Sequence, residues 1–595
     1  MNEPTSSSTE QLVDVAQTAS IFQVSASTIR SWRRRQVSWL PAPVAQLNGG
    51  AVWLRSEVSR EAARYHHEDF SNKRTVTLAR DRAAGRFYTP SDTAHFLADW
   101  LLRGGARSFL EPSFGDAAFI VAVNEQAEKL GLERVAWIGA ELDTQAVQRA
   151  RLASDLLPSE IRPGNFLALE PEPVDAVMAN PPYVRLRHLD EETKRRSQKL
   201  VLQSTGEQLS PSASLWLPFL IHSISFLNRG GMLAMVLPSD FTYVTYARKY
   251  WGWLSTQFEE LQVVRVRQRL FPDLNQDVIL LLASGHGGVT QSVKFEAYES
   301  VLDLIESRPN VRSEIQISKI VSGERSFQRA LAGSDVWSML QEEFAGSLTP
   351  ASDLMRFRIG YVAGDKDFFH PQSGIAEAYN LPTASLRKSI TNGRRLKGHG
   401  LSTSNLPESA VDELWLPTDG ELSDGELRYI RYGEQLGVSS GYKASRRDPW
   451  FRVPTVEIPD LIMTVFSESP LVLINDAELT ASNSLLCGYL RSGSVEQFVL
   501  NWYSPLTQLS IASEVHSLGG GVMVLVPNEA NSVLVSDLGR PDSDLFHIAG
   551  ALNSGNVEDA YLSGRAALEN RAGVENVQMI VEATERLRHW RVRPS

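Results

Sequence analysis

The sequence predicts an α/β protein: a run of strands and helices forming a parallel sheet, preceded by a small helical module and followed by an α+β region. Three observations carry this. From 85 to about 285, short apolar runs alternate with amphipathic stretches, which places successive strands in one sheet with helices between them. Before that, residues 12–35, LVDVAQTASIFQVSASTIRSWRRR, read as two short helices broken at Gln23-Val24-Ser25. Beyond about 330 the strands shorten and Gly and Pro turns multiply. At 595 residues the chain is too long for one core. It divides into 1–65, 75–300, 325–540 and a helical segment 541–595 that contains VENVQMIVEATERLRHW.

In the first module Val15, Ala19 and Phe22 form an apolar face on one helix, and Ile29 and Trp32 on the next. Ser25 is placed as N-cap of the second helix, which exposes Ser27, Thr28, Arg30 and Ser31 ahead of Arg33, Arg34 and Arg35. Asn48-Gly49 is a hairpin-turn dipeptide, with strand-like VWL soon after it. This order resembles the winged helix-turn-helix of MerR and excisionase proteins. The resemblance implies a recognition helix entering the DNA major groove with Thr28, Arg30, Arg33 and Arg34, and a hairpin wing. A small helical interaction domain is the alternative reading.

The strands of the sheet are placed at SFLEP (108–112), RVAWIGAEL (134–142), AVMAN (176–180), GMLAMVLP (231–238) and DVILLLA (277–283). Helices fall between them, including 117–129 and 214–227. Runs such as VILLLA suit buried strands and are too short to span a bilayer. The opening MNEPTSSSTE has no apolar core, so neither a signal peptide nor an anchor is expected. Cys487 is the single cysteine, which excludes a disulfide framework and a thiolate metal cluster. The cytoplasm is the expected compartment. The net charge of -11 speaks against a nucleic-acid partner, but an electrostatic footprint is local. Basic residues gather at Arg30–Arg35, at Arg185, Arg187, Lys194, Arg195 and Arg196, and at Lys443, Arg446, Arg447 and Arg452. Each cluster alone reads more readily as a solvated helix face.

Chemistry concentrates at successive strand ends. FLEPSFGDAAF (109–119) leaves a strand and opens a helix; Gly115 lets the backbone bend close to a ligand, and the helix start offers amide donors. The next strand ends in Gly139-Ala140-Glu141-Leu142-Asp143, the spacing at which an acid reaches a ribose diol in doubly wound folds. Gly164-Asn165-Phe166 offers an amide and an aromatic. The fourth turn is Asn180-Pro181-Pro182-Tyr183. Proline cannot continue a ladder, so the amide and phenol sit on a stiff turn at a strand's carboxyl end, where ligands bind in open sheets. The tetrapeptide by itself reads equally as a strand-terminating turn.

As an ordered series these motifs resemble the class I (Rossmann-like) S-adenosylmethionine-dependent methyltransferases, and within them the γ-class DNA amino-methylating enzymes such as the TaqI methylase. GRFYTPSDTAHFL (85–97) resembles their first motif, EPSFGDAAF the glycine motif, GAELD the ribose motif, GNF the adenine-contacting motif and NPPY the catalytic motif. RLFPDLNQDVILLLASG (269–285) resembles the late motif that packs on the target base. The resemblance implies that Thr89, Glu111, Pro112, Gly115, Phe119, Glu141, Asp143, Asn165 and Phe166 hold S-adenosyl-L-methionine. It implies further that Asn180, Pro181, Pro182 and Tyr183 are catalytic, and that Tyr183 and Phe271 stack on a flipped base. More loosely, IGYVAGDKDFF, DPWFRVP and NSLLCGYL with LGGGVMVLVP resemble C-terminal target-recognition domains of restriction-modification methylases, implying DNA contacts from Lys443, Arg446 and Arg447. Two positions depart from the family: Ala117 stands where a second glycine is common, tolerable if that residue is already helical, and Asn165 replaces an aspartate.

The implied reaction transfers a methyl group to adenine N6 in duplex DNA and requires neither metal nor covalent intermediate. The N6 lone pair is delocalised into the ring. The Asn180 carboxamide oxygen and the Pro181 carbonyl can both accept N6 hydrogens and favour a pyramidal nitrogen, and the prolines hold both acceptors in advance. Cytosine N4 is the alternative target. Protein glutamine and RNA guanine methylases share the turn but lack a long domain after the sheet. A non-catalytic DNA-binding protein on the same fold and a fused restriction nuclease are the other readings. Expected partners are double-stranded DNA and a cognate restriction endonuclease or phage-defence proteins, with no membrane; a monomer is expected.

Overall fold

The computed structural model describes residues 12–21, 29, 33, 40–47, 50–59, 61, 89–153, 160–271, 277–417, 420–516 and 522–592. These fall into two compact units: residues 1–87 with 182–189 and 214–216, and residues 88–181, 190–213 and 217–595.

The first unit holds β1 (Leu12–Val13), α1 (Val15–Ile21), β2 (Ala45–Leu47) and β3 (Gly50–Leu54). β3 lies between β1 and β2 and is antiparallel to both. Its core is Val13, Ala19, Ile29, Leu40, Ala51, Trp53 and Val58. The Trp53 indole N–H donates to the Pro41 carbonyl at 2.7 Å, which satisfies the one polar atom of a fully buried ring. Asn48-Gly49, expected as a hairpin turn, lies outside the described residues; the strands on either side pair antiparallel, with Leu47 opposite Gly50. Leu12-Val13, read from sequence as part of a helix, is instead a strand, because pairing sets Val13 beside Trp53 in this core. Thr28, Arg30 and Arg34 lie outside the described residues; Arg33 is exposed.

The second unit is built on a nine-stranded sheet. α2 (Ser91–Arg103) leads into β4 (Ser108–Glu111), followed by α3 (Ala118–Lys129), β5 (Ala136–Glu141), α4 (Thr144–Ala153), β6 (Ile161–Pro163) and β7 (Val174–Ala179). Then come α5 (Glu191–Thr205), α6 (Trp216–Ile224), β8 (Leu227–Pro238), α7 (Arg248–Leu254), β9 (Phe258–Val266), β10 (Val278–His286), β11 (Ser292–Tyr298) and β12 (Val311–Gln316). The order is β12-β11-β9-β10-β8-β7-β4-β5-β6. The half from β6 to β8 is parallel, as expected. The expectation of a wholly parallel sheet is corrected: β10 is antiparallel to β8 and β9, and β12 to β11. The link from Val266 to Val278 is too short for a helical crossover, so the chain returns in the opposite sense. An apolar run such as VILLLA is silent on direction, since a strand buried on both faces reads alike either way.

β4 pairs with β5 on one side and β7 on the other, and the chain moves outward in both directions from there. This is a topological switch point, and ligands bind at the carboxyl ends of strands that diverge in this way. α2 covers one face with Ala94, Leu97, Ala98, Leu101 and Leu102, a three-four spacing that keeps one stripe buried.

Beyond the sheet, Met355–Ile359, Leu485–Leu490, Leu461–Thr464 and Val472–Ile474 form a four-stranded antiparallel sheet over a core that includes Phe357, Trp502 and Tyr503. A second core gathers Phe368, Phe369, Trp415 and Tyr429. The helical stretch expected near the end is the helix Val574–Arg591. It packs on helices Ser326–Ala332, Ser334–Glu343 and Pro505–Glu514. Its closing carbonyls at His589 and Trp590 accept from Arg267 Nε (2.8 Å), just past β9, and from Arg265 Nη2 (3.0 Å) of β9. The helix end that would need partners is thus capped by the sheet.

Candidate active site

The glycine turn follows β4. Gly115 has φ 51°, and a Cβ built there would meet nothing within 4 Å, so the turn faces open space. Its N–H donates to Glu141 Oε2 at 3.0 Å, and the Phe114 N–H to the Ala140 carbonyl at 3.2 Å, tying the turn to the end of β5. Ala117 corrects an expectation. It is not helical but caps α3 in the left-handed conformation, φ 62° and ψ 29°. That conformation costs an alanine about 1–2 kcal/mol. The turn imposes it: the Ala117 N–H donates to the Phe114 carbonyl at 2.7 Å and the methyl is fully buried.

Glu111 ends β4 and is 3% exposed, with Oε2 lacking any hydrogen-bond partner. Burial, and then the nearby Glu141, push its carboxyl well above the ordinary carboxylate range, partly offset by the Ile120 amide. Pro112 is buried beside it, and Phe119 is packed into the core on α3.

At the end of β5 the acids separate in role. Glu141 accepts from Gly115 N with one oxygen and from Asp143 N (2.8 Å) with the other. Asp143 Oδ1 accepts from Gln145 N at 2.9 Å and caps α4. Between them Leu142 is 67% exposed. Sequence reasoning passed over this residue, although an apolar side chain wedged between two acids at a strand end is a legible signal. Asn165 Oδ1 accepts from Leu167 N at 3.0 Å and caps a short 3-10 turn. Phe166 is 3% exposed, and its ring packs against Phe219, His222 and Phe226, so the aromatic face belongs to the core.

Asn180 follows β7. Its Nδ2 donates to Thr89 Oγ1 at 3.3 Å, and its carbonyl accepts from Ser113 Oγ at 3.4 Å. The structure thereby brings the segment at Thr89 and the glycine turn to the Asn-Pro-Pro-Tyr turn, from 91 and 67 residues away in sequence. Ser113 is the second residue that sequence reasoning missed. Pro181 is buried; Tyr183, in the same turn, is half-buried, and desolvation raises its phenol. Phe271 is 6% exposed and directly precedes the undescribed residues 272–276.

The basic stretch at 443–447 divides in two. Arg447 donates from Nη1 to the Ala363 carbonyl (2.8 Å) and from Nη2 to that of Val362 (2.6 Å), bracing the 361–364 turn. Lys443 and Arg446 are exposed and gather on Tyr442, itself 65% exposed, with the guanidinium 4.0 Å from the ring centre. Among the described residues no group of His, Cys, Asp or Glu is arranged to hold a metal ion. Nor is any described helix long and apolar enough to cross a membrane.

Comparison with known proteins bears on the same segments. Residues 139–271 match the Eco57I restriction-modification methylase family, and residues 327–566 match the C-terminal domain of the type II methyltransferase M.Eco57I. The chain is 20% identical over 492 residues to the type II methyltransferase M.AccI of Acinetobacter calcoaceticus, covering 79% of this chain and 88% of that protein. It is 22% identical over 214 residues to the type II methyltransferase M.BanIII of Aneurinibacillus aneurinilyticus, covering 31% and 36%. Its fold is similar to that of the type IIL restriction-modification enzyme MmeI, solved in complex with DNA, at 13% identity, TM-score 0.53 and coverage of 91% and 85%. The family models and relatives that this chain resembles are restriction-modification methyltransferases of type II systems.

Proposed function

We propose that this protein transfers a methyl group from S-adenosylmethionine to adenine N6 at a specific site in duplex DNA, as the modification enzyme of a restriction-modification or phage-defence system. The observation that carries the reading is Asn180 at the switch point of the sheet, its carboxamide tied to Thr89 and its backbone carbonyl to Ser113, beside the glycine turn and two buried acids. The site fits the cofactor on this chain's own terms. Gly115 leaves room where a side chain would intrude, Glu141 stands where a ribose diol needs an acceptor, and Glu111 keeps a buried oxygen without a partner. Leu142 supplies an exposed apolar surface for the adenine ring. When bound, S-adenosylmethionine supplies the electrophilic methyl group.

The chain's own work is then orientation. Asn180 Oδ1 and the Pro181 carbonyl accept the amine hydrogens of the target base and turn its lone pair outward. These bonds strengthen as the nitrogen becomes positive, so they act mainly in the transition state. The Thr89 bond fixes the donor end of the carboxamide and hence which end faces the amine. Tyr183 and Phe271 hold the turned-out base, whose extrusion costs a few kcal/mol, against about 1–3 kcal/mol regained by stacking. Lys443 and Arg446 contact DNA from the C-terminal region, and the N-terminal module adds a second DNA contact. The test is transfer of labelled methyl to duplex DNA, followed by base analysis. Label on N6-methyladenine is expected; label on cytosine N4, or only on RNA or protein, would overturn the reading.

A further inference from the structure

The loop after β8 runs Ser239-Asp240-Phe241-Thr242-Tyr243 and lies at the catalytic end of the sheet. β8 is parallel to β7, with Met235 opposite Ala179, so its carboxyl end runs beside Asn180 and Pro181. On the other side Ser239 N donates to the Asp277 carbonyl at 2.8 Å, at the start of β10 and just beyond the connection that carries Phe271. The loop therefore stands between the catalytic turn and the base-holding segment. What grips it comes from much later in the chain. Arg325 Nη1 donates to the Tyr243 carbonyl at 3.2 Å, and its guanidinium lies 5.4 Å from the Tyr243 ring centre. His516 stacks on the same ring, 5.9 Å between centres and 18° between planes, and Tyr243 OH donates to Asp240 at 2.7 Å.

Arg325 and His516 are themselves locked. Glu529 Oε1 takes both, at 3.3 Å from Arg325 Nη2 and 2.5 Å from His516 Nδ1, and Glu514 sits 3.9 Å from Arg325 and 3.6 Å from Arg329. Arg329 pairs in turn with Glu324 at 3.3 Å. Arg325 is 9% exposed and Glu529 8%, and Glu529 Oε2 and Arg329 Nε are buried without partners. Buried ion pairs with unmatched atoms are poor sources of stability and are better understood as devices that fix a geometry. We propose that Arg325 and His516 are positioning residues. Acting through Tyr243, they hold the loop after β8 in place, so that the C-terminal recognition region sets the alignment of the catalytic turn and the Phe271 segment. This rests on the methyltransferase reading above.

The test uses the full-length chain, duplex DNA carrying the mapped site, and 2-aminopurine in place of the target adenine as a reporter of base extrusion. Arg325→Lys keeps the charge beside Glu529 but loses the planar fork onto Tyr243. His516→Ala loses the stack, and His516→Phe restores a ring without the nitrogen that bonds Glu529. Arg325→Lys and His516→Ala should lower kcat about ten- to a hundredfold and reduce the fluorescence rise, with DNA affinity unchanged. His516→Phe should recover most of both. Wild-type kcat and fluorescence in Arg325→Lys and His516→Ala would overturn the proposal. So would a parallel fall of DNA affinity, kcat and Tm, which marks a structural brace only. Should Arg325→Lys not fold, the His516 pair decides alone, since that side chain is only partly buried. Failure of the wild-type chain to methylate the DNA would instead sink the methyltransferase reading on which the proposal rests.

Discussion

Replacing Glu111 by Gln tests the electrostatics of the site directly. In the folded chain this carboxyl is 3% exposed, Oε2 has no partner, and Glu141 lies close enough to oppose a second negative charge. Its folded pKa therefore stands well above the ordinary 4.5 that the unfolded chain restores. Between those two values the native state holds a proton that the unfolded state has released. Stability from this group is complete below 4.5 and is lost as pH rises through the folded pKa. The loss runs at about 1.4 kcal/mol per pH unit within the window and levels off above it. Glutamine has nearly the same shape and no charge, so the wild-type curve should fall relative to the Glu111→Gln curve with that slope. Urea unfolding of both proteins at a series of pH values reads the difference. The same substitution should weaken cofactor binding, because a cationic ligand drives Glu111 to ionise and its binding releases a proton. Calorimetry in buffers of different ionisation heat should therefore find proton release with wild type and none with Glu111→Gln. Parallel stability curves, or equal proton release, would refute the reasoning.

Asn180→Ala should lower kcat by about 10²–10³ while DNA affinity stays unchanged, since the lost acceptor acts in the transition state; single-turnover methylation checks this, and near-normal turnover contradicts the assignment. Gly115→Ala should destabilise the fold by about 1 kcal/mol at its left-handed φ and project a methyl into the cofactor space. The thermal shift produced by S-adenosylmethionine should shrink, and an unchanged shift counts against the placement. Lys443→Ala with Arg446→Ala should weaken DNA binding and flatten its salt dependence. Arg447→Ala should instead lower stability by about 1–3 kcal/mol through the two lost charged hydrogen bonds; filter binding across salt and urea melts separate the two. Removing residues 1–65 should leave the methylated motif unchanged while reducing affinity and salt slope, whereas an unaltered slope favours a protein-interaction role for that module.

Several features were legible in the residues alone because they are local. Proline after Asn180 stiffens the backbone and glycine at 115 permits a left-handed one whatever surrounds them, so the turns could be read without their neighbours. The strands ending at residues 111, 141 and 179 and the last helix followed from runs and periodicities inside single segments. Contacts between distant segments left no such trace. Ser113 meets Asn180 because β4 and β7 pair, Thr89 because it leads into α2 beside them, and the sense of β10 follows from its short return out of β9, a strand the residues alone did not reveal. Ala117 takes a left-handed backbone that its own propensity opposes, because the hydrogen bond to Phe114 and the closing turn outweigh a local cost of about 1–2 kcal/mol. Arg446 and Arg447 are adjacent and alike in sequence, yet one stacks on an exposed tyrosine while the other is spent on the carbonyls of residues 362 and 363. Identical side chains acquire different roles through the partners that tertiary packing brings within reach. A charge in water is worth little until a fixed neighbour or a desolvated setting gives it work to do.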